Sequence, residues 1–131
     1  MININRIYLL IVFSFLILFN LSAQPAPKYE VRAAWITAVY GLDWPRTKAT
    51  TPAGIQKQKE ELVEILDKLK EANFNTVLFQ ARTRGDVLYK SDIEPYNSIL
   101  TGKSGKDPGY IPQAFAVEEC HKTGMECHAW M

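Results

Sequence analysis

The sequence is poor in the features that mark several specialised classes of protein. It has two cysteines in 131 residues, too few for a small disulfide scaffold. It carries 15 lysines and arginines against 14 acidic residues, so the formal net charge is only +1. This balance gives no electrostatic reason to expect a nucleic-acid partner. With 47% hydrophobic and 22% charged residues, the composition is that of an ordinary globular protein, and the length allows one domain at most.

One long hydrophobic run is present, at the N terminus. It extends from Ile7 to Leu21, follows the positive charge of Arg6 and ends in small and polar residues around Ala23. This order of parts is typical of a secretory signal peptide, and the run is shorter than the roughly 20 residues that span a bilayer comfortably. We predict a signal peptide over residues 1–23, a spacer over 24–28 and a mature domain over 29–131. We expect export to the periplasm, the cell envelope or the medium; an uncleaved anchor helix is the alternative.

Strand-like and helix-like segments alternate along the mature part of the sequence. Tyr29–Tyr40 is rich in Val, Ala, Ile and Trp and predicts a largely buried strand. A helix should begin at Thr51-Pro52, because Thr is a good N-cap residue and proline fits the first helical position. Apolar residues from Ile55 to Ala72 then recur at helical spacing. A second buried strand is predicted over Asn75–Arg82.

The second half of the sequence repeats this alternation after a long interruption. Thr83–Ile111 has no lasting period and is longer than ordinary loops, which usually indicates a functional segment. Pro112–Thr123 predicts a helix ended by Gly124, and Met125–Met131 predicts a third strand. The order favours parallel strands joined by right-handed crossovers. Because an eight-stranded barrel uses roughly 250 residues, we predict an α/β fold consisting of the first three strands (βαβαβ) of a truncated TIM barrel.

Polar side chains gather where the predicted strands end. Alternation places Gln80 and Arg82 on the strand face opposite the covering helices, and the same count places His128 and Trp130 on one face of the third strand. Barrel enzymes bind substrates at the carboxyl ends of their strands. We therefore predict a cleft lined by Asp43, Trp44, Gln80, Arg82, Asp86, Tyr89, His128 and Trp130. Ordinary ion pairing and core packing are the alternative for this set.

No nucleotide site or cofactor is predicted. Gly102-Lys103-Ser104 resembles the end of a phosphate-binding loop, but Asn97 stands where the required glycine belongs. This mismatch excludes the loop.

The cysteines and histidines near the end of the sequence do not predict a metal site. Cys120, His121, Cys127 and His128 fit no common zinc spacing, and the predicted helix and strand separate the cysteines from the histidines. We interpret the two cysteines as buried apolar residues. The alternative, if the chain is exported, is an intramolecular disulfide between them.

Three blocks carry a more specific signal: Glu30–Ile36, Phe74–Arg82 with Arg84-Gly85-Asp86 after it, and Gly124–Trp130. Together they resemble the glycosyl hydrolase-like 10 domain family. The resemblance covers residues 29–131 and implies a secreted or envelope TIM barrel related to glycoside hydrolases. It also implies a sugar-binding cleft that contains Gln80, Arg82, Asp86, His128 and Trp130, with the acidic pair that does the chemistry at later strand ends.

Glycoside hydrolysis usually requires two carboxylates on either side of the bond. Asp43 and Asp86 follow different strands, but nothing in their spacing fixes their separation, so we assign no catalytic residue. We expect the N-terminal portion of an exported carbohydrate-active protein that acts on polysaccharide or cell-wall glycan, inactive by itself. The alternative is a non-catalytic glycan-binding or interaction module that uses Trp44, Tyr89 and Trp130 as aromatic platforms.

Overall fold

Three strands and the helices between them form the part of the chain that the structure describes. The computed structural model describes residues 29–131 and, ahead of them, Phe13. The strands are β1 (Ala33–Ile36), β2 (Thr76–Gln80) and β3 (Glu126–Trp130). The helices are α1 (Pro52–Glu71), α2 (Ser98–Thr101) and α3 (Pro112–Lys122), with a 3-10 turn at Val39–Gly41. The predicted signal peptide and spacer lie outside residues 29–131.

The three strands form one parallel sheet in the order β1-β2-β3. This arrangement confirms the predicted mixed α/β architecture with parallel strands. β2 and β3 begin and end within two residues of the predicted bounds. β1 is much shorter than the predicted Tyr29–Tyr40, because beyond Ile36 the amides of Ala38 and Val39 donate to the side chain of Gln80, at 2.8 and 3.0 Å, instead of to a neighbouring strand.

Helix α1 begins where the sequence predicts it. Thr51 has an extended backbone, and its Oγ1 accepts a hydrogen bond from the amide of Gly54 at 3.0 Å. Pro52 occupies the first helical position, where its missing amide proton costs nothing. Beyond the end of the helix, Asn73 adopts the left-handed conformation, with φ at 61°. The cap and the left-handed residue explain the observed bounds of α1.

Replacing Thr51 by alanine should lower the free energy of unfolding by about 1 kcal/mol, because the amide of Gly54 loses its acceptor. Thr51→Ser keeps the hydroxyl and should retain most of the stability. Urea denaturation of the two variants measures the difference. An equal loss in both would show that the cap hydrogen bond contributes nothing.

Both long helices cover the same face of the sheet. The buried side chains that meet there come from β2, α1 and α3: Val77, Phe79, Leu62, Leu66, Ala116 and Cys120. Trp44, from the segment before α1, completes this core. The hydrophobic core therefore lies between the sheet and the helices, as the alternation along β2 predicts.

The long segment over 83–111 is held in place by backbone hydrogen bonds despite its irregular sequence. Val87 donates to the carbonyl of Pro95 at 3.0 Å and accepts from the amide of Asn97 at 3.0 Å. Val87 and Leu100, both within this segment, are fully buried. Asn97, which stands where a phosphate-binding loop would require glycine, is the N-cap of α2. Its Oδ1 accepts a hydrogen bond from the amide of Ile99 at 2.8 Å.

Among the residues described, no helix combines the length and the apolar character needed to cross a membrane.

Candidate functional site

The sheet face opposite α1 and α3 carries a mixture of aromatic and polar side chains. The register aligns Trp35 of β1 with Leu78 of β2 and His128 of β3. It also aligns Gln80 with Trp130, one row further along the strands. Because alternate residues along a strand share a face, all five side chains project to the same side of the sheet. We call this surface the inner face.

On β3, the inner face presents an aromatic surface beside a polar ring. Trp130 packs edge-to-face against Trp35, with ring centroids 4.7 Å apart and planes at 86°. Nε2 of His128 lies 3.1 Å from Oε2 of Glu126, and both side chains are exposed. A ligand that approached the inner face would meet both the indole of Trp130 and the imidazole of His128.

Gln80 fixes the turn that follows β1. Its Oε1 accepts hydrogen bonds from Oγ1 of Thr37 at 2.7 Å and from the amides of Ala38 and Val39. The side chain is almost fully buried, so these bonds form away from solvent. Within the described part of the chain, the hydrogen bonds of this side chain all use Oε1. Gln80 is thus a structural anchor for the turn after β1.

Arg82 makes a bidentate ion pair with Glu94. Its Nε lies 2.9 Å from both carboxylate oxygens, and Nη2 lies 2.5 Å from Oε1. The guanidinium of Arg82 holds the pKa of Glu94 below its usual range; burial acts in the opposite direction, and a hydrogen bond from Tyr89 adds to the lowering. Arg82, Tyr89 and Glu94 therefore form one connected polar group after β2.

Asp86 supports the turn at the end of β2. Its Oδ1 accepts a hydrogen bond from the hydroxyl of Thr83 and another from Nδ2 of Asn97, the latter at 2.8 Å. The backbone closes the same turn, since the amide of Thr83 donates to the carbonyl of Asp86 at 3.0 Å. One carboxylate oxygen of Asp86 is therefore committed to the local structure.

Asp43 and Trp44 have different environments although they are adjacent. Asp43 is exposed, and its Oδ2 accepts from the amide of Thr37 at 2.8 Å. Trp44 is fully buried, its ring lies 5.7 Å from that of Phe79, and its Nε1 donates to the carbonyl of Gln58 at 2.8 Å. Because no face of the Trp44 ring reaches solvent, the prediction that it lines the cleft is not retained. Trp44 belongs to the core.

Comparison with known proteins identifies the family. Residues 30–131 match the family model described as glycosyl hydrolase-like 10. The chain belongs to this family. Glycosyl hydrolase YngK of Bacillus subtilis (strain 168) is 39% identical over 121 residues, which are 92% of this chain and 23% of that protein. Glycosyl hydrolase DigH of Escherichia coli (strain K12) is 38% identical over 115 residues, which are 83% of this chain and 25% of that protein.

The match confirms the family that the three sequence blocks indicate. The chain spans about a quarter of the length of these curated relatives.

The remaining predicted site residues of this glycosyl hydrolase-like 10 chain occupy three places. The inner face of the sheet holds Gln80, His128 and Trp130. The segment after β2 holds Arg82, Asp86 and Tyr89. Asp43 lies in the turn after β1 that Gln80 anchors, as its bond to Thr37 shows. Gln80 and Trp130 are the last residues of their strands, His128 lies in the middle of β3, and the other residues follow β1 or β2. Because the carboxyl ends of parallel strands meet at one edge of the sheet, the topology brings all of these residues except His128 to that edge.

Sequence reasoning missed several residues at this edge. Glu94, the partner of Arg82, lies in a segment without periodicity, so no sequence signal pointed to it. Arg84 donates from Nη1 to the hydroxyl of Tyr40 at 3.0 Å, and its guanidinium carbon lies 4.9 Å from the centre of the Tyr40 ring. Trp35 could have been found, because alternation along β1 places it on the face opposite Ile36.

Where the structure describes the chain, no group of three or more His, Cys, Asp and Glu side chains is arranged to hold a metal ion.

The ion pair between Arg82 and Glu94 predicts a dependence of stability on pH. Because the pKa of Glu94 is lower in the folded state than the roughly 4.3 of an unfolded chain, its charged form stabilises the fold above that pH. This contribution is lost as the pH falls through the folded pKa. Glu94→Gln should therefore be less stable than the wild type at pH 7, and the difference should shrink in increasingly acidic buffer. Urea denaturation across this pH range measures it.

Glu71→Gln is the matched control, since Glu71 is exposed at the end of α1. Its stability should differ little from that of the wild type at every pH. If the two variants showed the same pH dependence, the ion pair would not be the cause.

Proposed function

We propose that this chain is the sugar-binding N-terminal portion of an exported, glycoside hydrolase-like protein that acts on polysaccharide or cell-wall glycan. In this proposal the three strands are the first three of a TIM barrel, and the inner face is the wall of its cleft. The chain on its own binds glycan without cleaving it.

The observation that carries the proposal is the match of residues 30–131 to the glycosyl hydrolase-like 10 family, in a chain whose described residues place both long helices on the same face of the parallel sheet. A TIM barrel places its helices outside and its binding site at the carboxyl ends of the strands. The positions of α1 and α3 on one side, and of the inner face on the other, are compatible with that plan. The names of the relatives, both glycosyl hydrolases, support carbohydrate as the ligand.

The chemistry of the inner face suits a sugar. Imidazole, guanidinium and amide groups exchange hydrogen bonds with hydroxyls, and His128, Arg82 and Gln80 supply one of each. Trp130 offers an aromatic surface against which the apolar face of a pyranose ring can pack. Tyr89 and the free oxygens of Asp43 and Asp86 would complete the set at the strand ends. The arrangement calls for no cofactor.

We assign the catalytic carboxylates to the portion of the family domain that this chain does not span. Hydrolysis needs a pair of carboxyl groups on either side of the scissile bond. Asp43 and Asp86 each use one oxygen to hold a turn, the first to Thr37 and the second to Thr83 and Asn97. Glu126 is paired with His128. Asp43 and Asp86 therefore both have structural roles, which supports binding and not bond cleavage.

Co-sedimentation with insoluble glycans tests the proposed function. The 131-residue chain is mixed separately with cellulose, chitin, xylan and purified cell-wall sacculi, and the pelleted fraction is measured against bovine serum albumin. We expect retention on at least one glycan with no release of soluble sugar. The proposal would be contradicted if the chain bound none of the glycans. Release of soluble sugar by this chain alone would also contradict it.

Export is the second part of the proposal and has its own test. Expressed in bacteria with a C-terminal tag, the chain should appear outside the cytoplasm with Gln24 as its first residue, because the signal peptide is removed after Ala23. N-terminal sequencing of the purified product measures this directly. A product that begins at Met1 and fractionates with membranes would identify an anchor instead.

A further inference from the structure

The two cysteines of the chain lie on neighbouring elements that pack together. Cys120 is in the last turn of α3 and is fully buried, whereas Cys127 is in β3 and is partly buried. Both belong to the core between the sheet and the helices, Cys120 as a member and Cys127 packed against it. Both are thiols in the structure.

The turn between α3 and β3 brings the two residues towards each other. The amide of Met125 donates to the carbonyl of Cys120 at 2.8 Å, and Gly124 has a φ of 68°, a conformation that favours glycine. The chain reverses at this point and enters β3. Cys127 is in register with Val77, which is fully buried on the side that the helices cover. The Cys127 side chain therefore projects towards α3, the element that carries Cys120.

The thiols are close enough to affect each other's ionisation. The neighbouring Cys127 thiol, together with burial, raises the pKa of Cys120 well above its usual range. The neighbouring Cys120 thiol lowers the pKa of Cys127; burial opposes this change, and the charge of His128 favours it. Since the thiolate is the reactive form, Cys127 is the cysteine that reacts first. Its partial exposure also makes it the one that a reagent reaches.

We propose that Cys120 and Cys127 form an intramolecular disulfide that ties α3 to β3. Disulfides form and persist in oxidising compartments, so the occurrence of this bond in the cell depends on the export proposed above. The ability of the two thiols to form it in an oxidising buffer does not depend on export. The oxidant is a disulfide, either of a dithiol oxidase or of oxidised glutathione.

The reaction is two successive thiol–disulfide exchanges. The Cys127 thiolate attacks one sulfur of the oxidant, forms a mixed disulfide and releases the first oxidant thiol. The Cys120 thiolate then attacks the Sγ of Cys127 and releases the second. Two protein thiols thereby lose two electrons and two protons, and the oxidant disulfide takes them up as two thiols.

Equilibration of the 131-residue chain in glutathione buffers tests the proposal. Samples at a series of ratios of oxidised to reduced glutathione are quenched with iodoacetamide and examined by intact mass under non-reducing conditions. In oxidising buffer we expect a monomer that is two hydrogen masses lighter than the dithiol and carries no alkyl group or glutathione. Two alkylated cysteines, a stable glutathione adduct or a disulfide-linked dimer would each overturn the proposal.

Thermal melting separates the disulfide from other effects of oxidation. The oxidised wild type should melt several degrees above the reduced form, because the cross-link restricts the unfolded chain. Cys127→Ser should melt at one temperature in both buffers, and this partly exposed position keeps the variant folded. A shift of equal size in Cys127→Ser would overturn the proposal. If the disulfide forms in these buffers but N-terminal sequencing finds no export, only the proposed localisation fails.

Discussion

Replacing Phe79 by alanine is expected to lower the free energy of unfolding by about 3 to 5 kcal/mol, the range typical of removing a buried aromatic side chain. Phe79 lies on the helix-facing side of β2, where 1% of it is exposed. Its ring contacts that of Trp44, and Leu62 and Leu66 belong to the same core. Alanine would leave a cavity that these neighbours fill only in part. Urea denaturation monitored by circular dichroism measures the loss.

The matched control is Leu78→Ala, one residue earlier on the same strand. Leu78 points to the inner face and is only partly buried, so its removal should cost far less than that of Phe79. Leucine fills most of the space, so Phe79→Leu should lose less unfolding free energy than Phe79→Ala. It takes the place of the alanine variant if that variant does not fold. Equal losses at positions 78 and 79 would show that the two faces of the sheet are equally buried and would contradict the assignment of the inner face.

Replacing Gln58 by leucine is expected to destabilise the fold by about 3 kcal/mol or more, because several buried polar groups lose their partners together. Gln58 is fully buried on α1. Its Nε2 donates to the carbonyls of Thr47 and Leu100, at 2.7 and 3.1 Å, and its Oε1 accepts from the hydroxyl of Tyr110 at 2.5 Å. One side chain thus joins the segment before α1 to the long segment after β2.

Gln56→Leu is the control for this substitution, since Gln56 is exposed on the same helix and its side chain donates to Glu60 at 3.2 Å. It should change the unfolding free energy by less than about 0.5 kcal/mol. Tyr110→Phe removes a single bond to Gln58 and should cost about 1 kcal/mol in a variant that still folds. If Gln58→Leu were as stable as Gln56→Leu, the hydrogen bonds of Gln58 would not hold the two segments together.

Much of the fold could be predicted from local patterns. The Thr51-Pro52 pair marks the start of α1, and Asn73 and Gly124 mark left-handed turns, because each effect depends on a residue's own backbone. The alternation of strand-like and helix-like segments predicted the parallel sheet. The length of β1 was overestimated, since the side chain of Gln80, distant in sequence, takes over the amides that would extend that strand.

The candidate site was less predictable, because its contacts join residues far apart in the chain. Alternation placed His128 and Trp130 on one face, but it could not reveal that Trp44 is buried beneath α1 with its indole bonded to Gln58. Nor could it find Glu94, which lies in a segment without sequence periodicity and pairs with Arg82. The sequence gives no reason to expect that Gln58 is buried, because the carbonyls to which it donates belong to the distant residues Thr47 and Leu100.

Titration of the wild type with soluble fragments of the glycan found by co-sedimentation tests whether the inner face binds sugar. The comparison is between His128→Ala, on the inner face, and Ile93→Ala, at a position that is 94% exposed in the segment after β2. We expect His128→Ala to bind about 5- to 100-fold more weakly, the equivalent of one lost hydrogen-bond partner worth about 1 to 3 kcal/mol, with an unchanged melting temperature. Ile93→Ala should bind like the wild type. Equal affinity of all three proteins would place the sugar away from the inner face and contradict the proposed site.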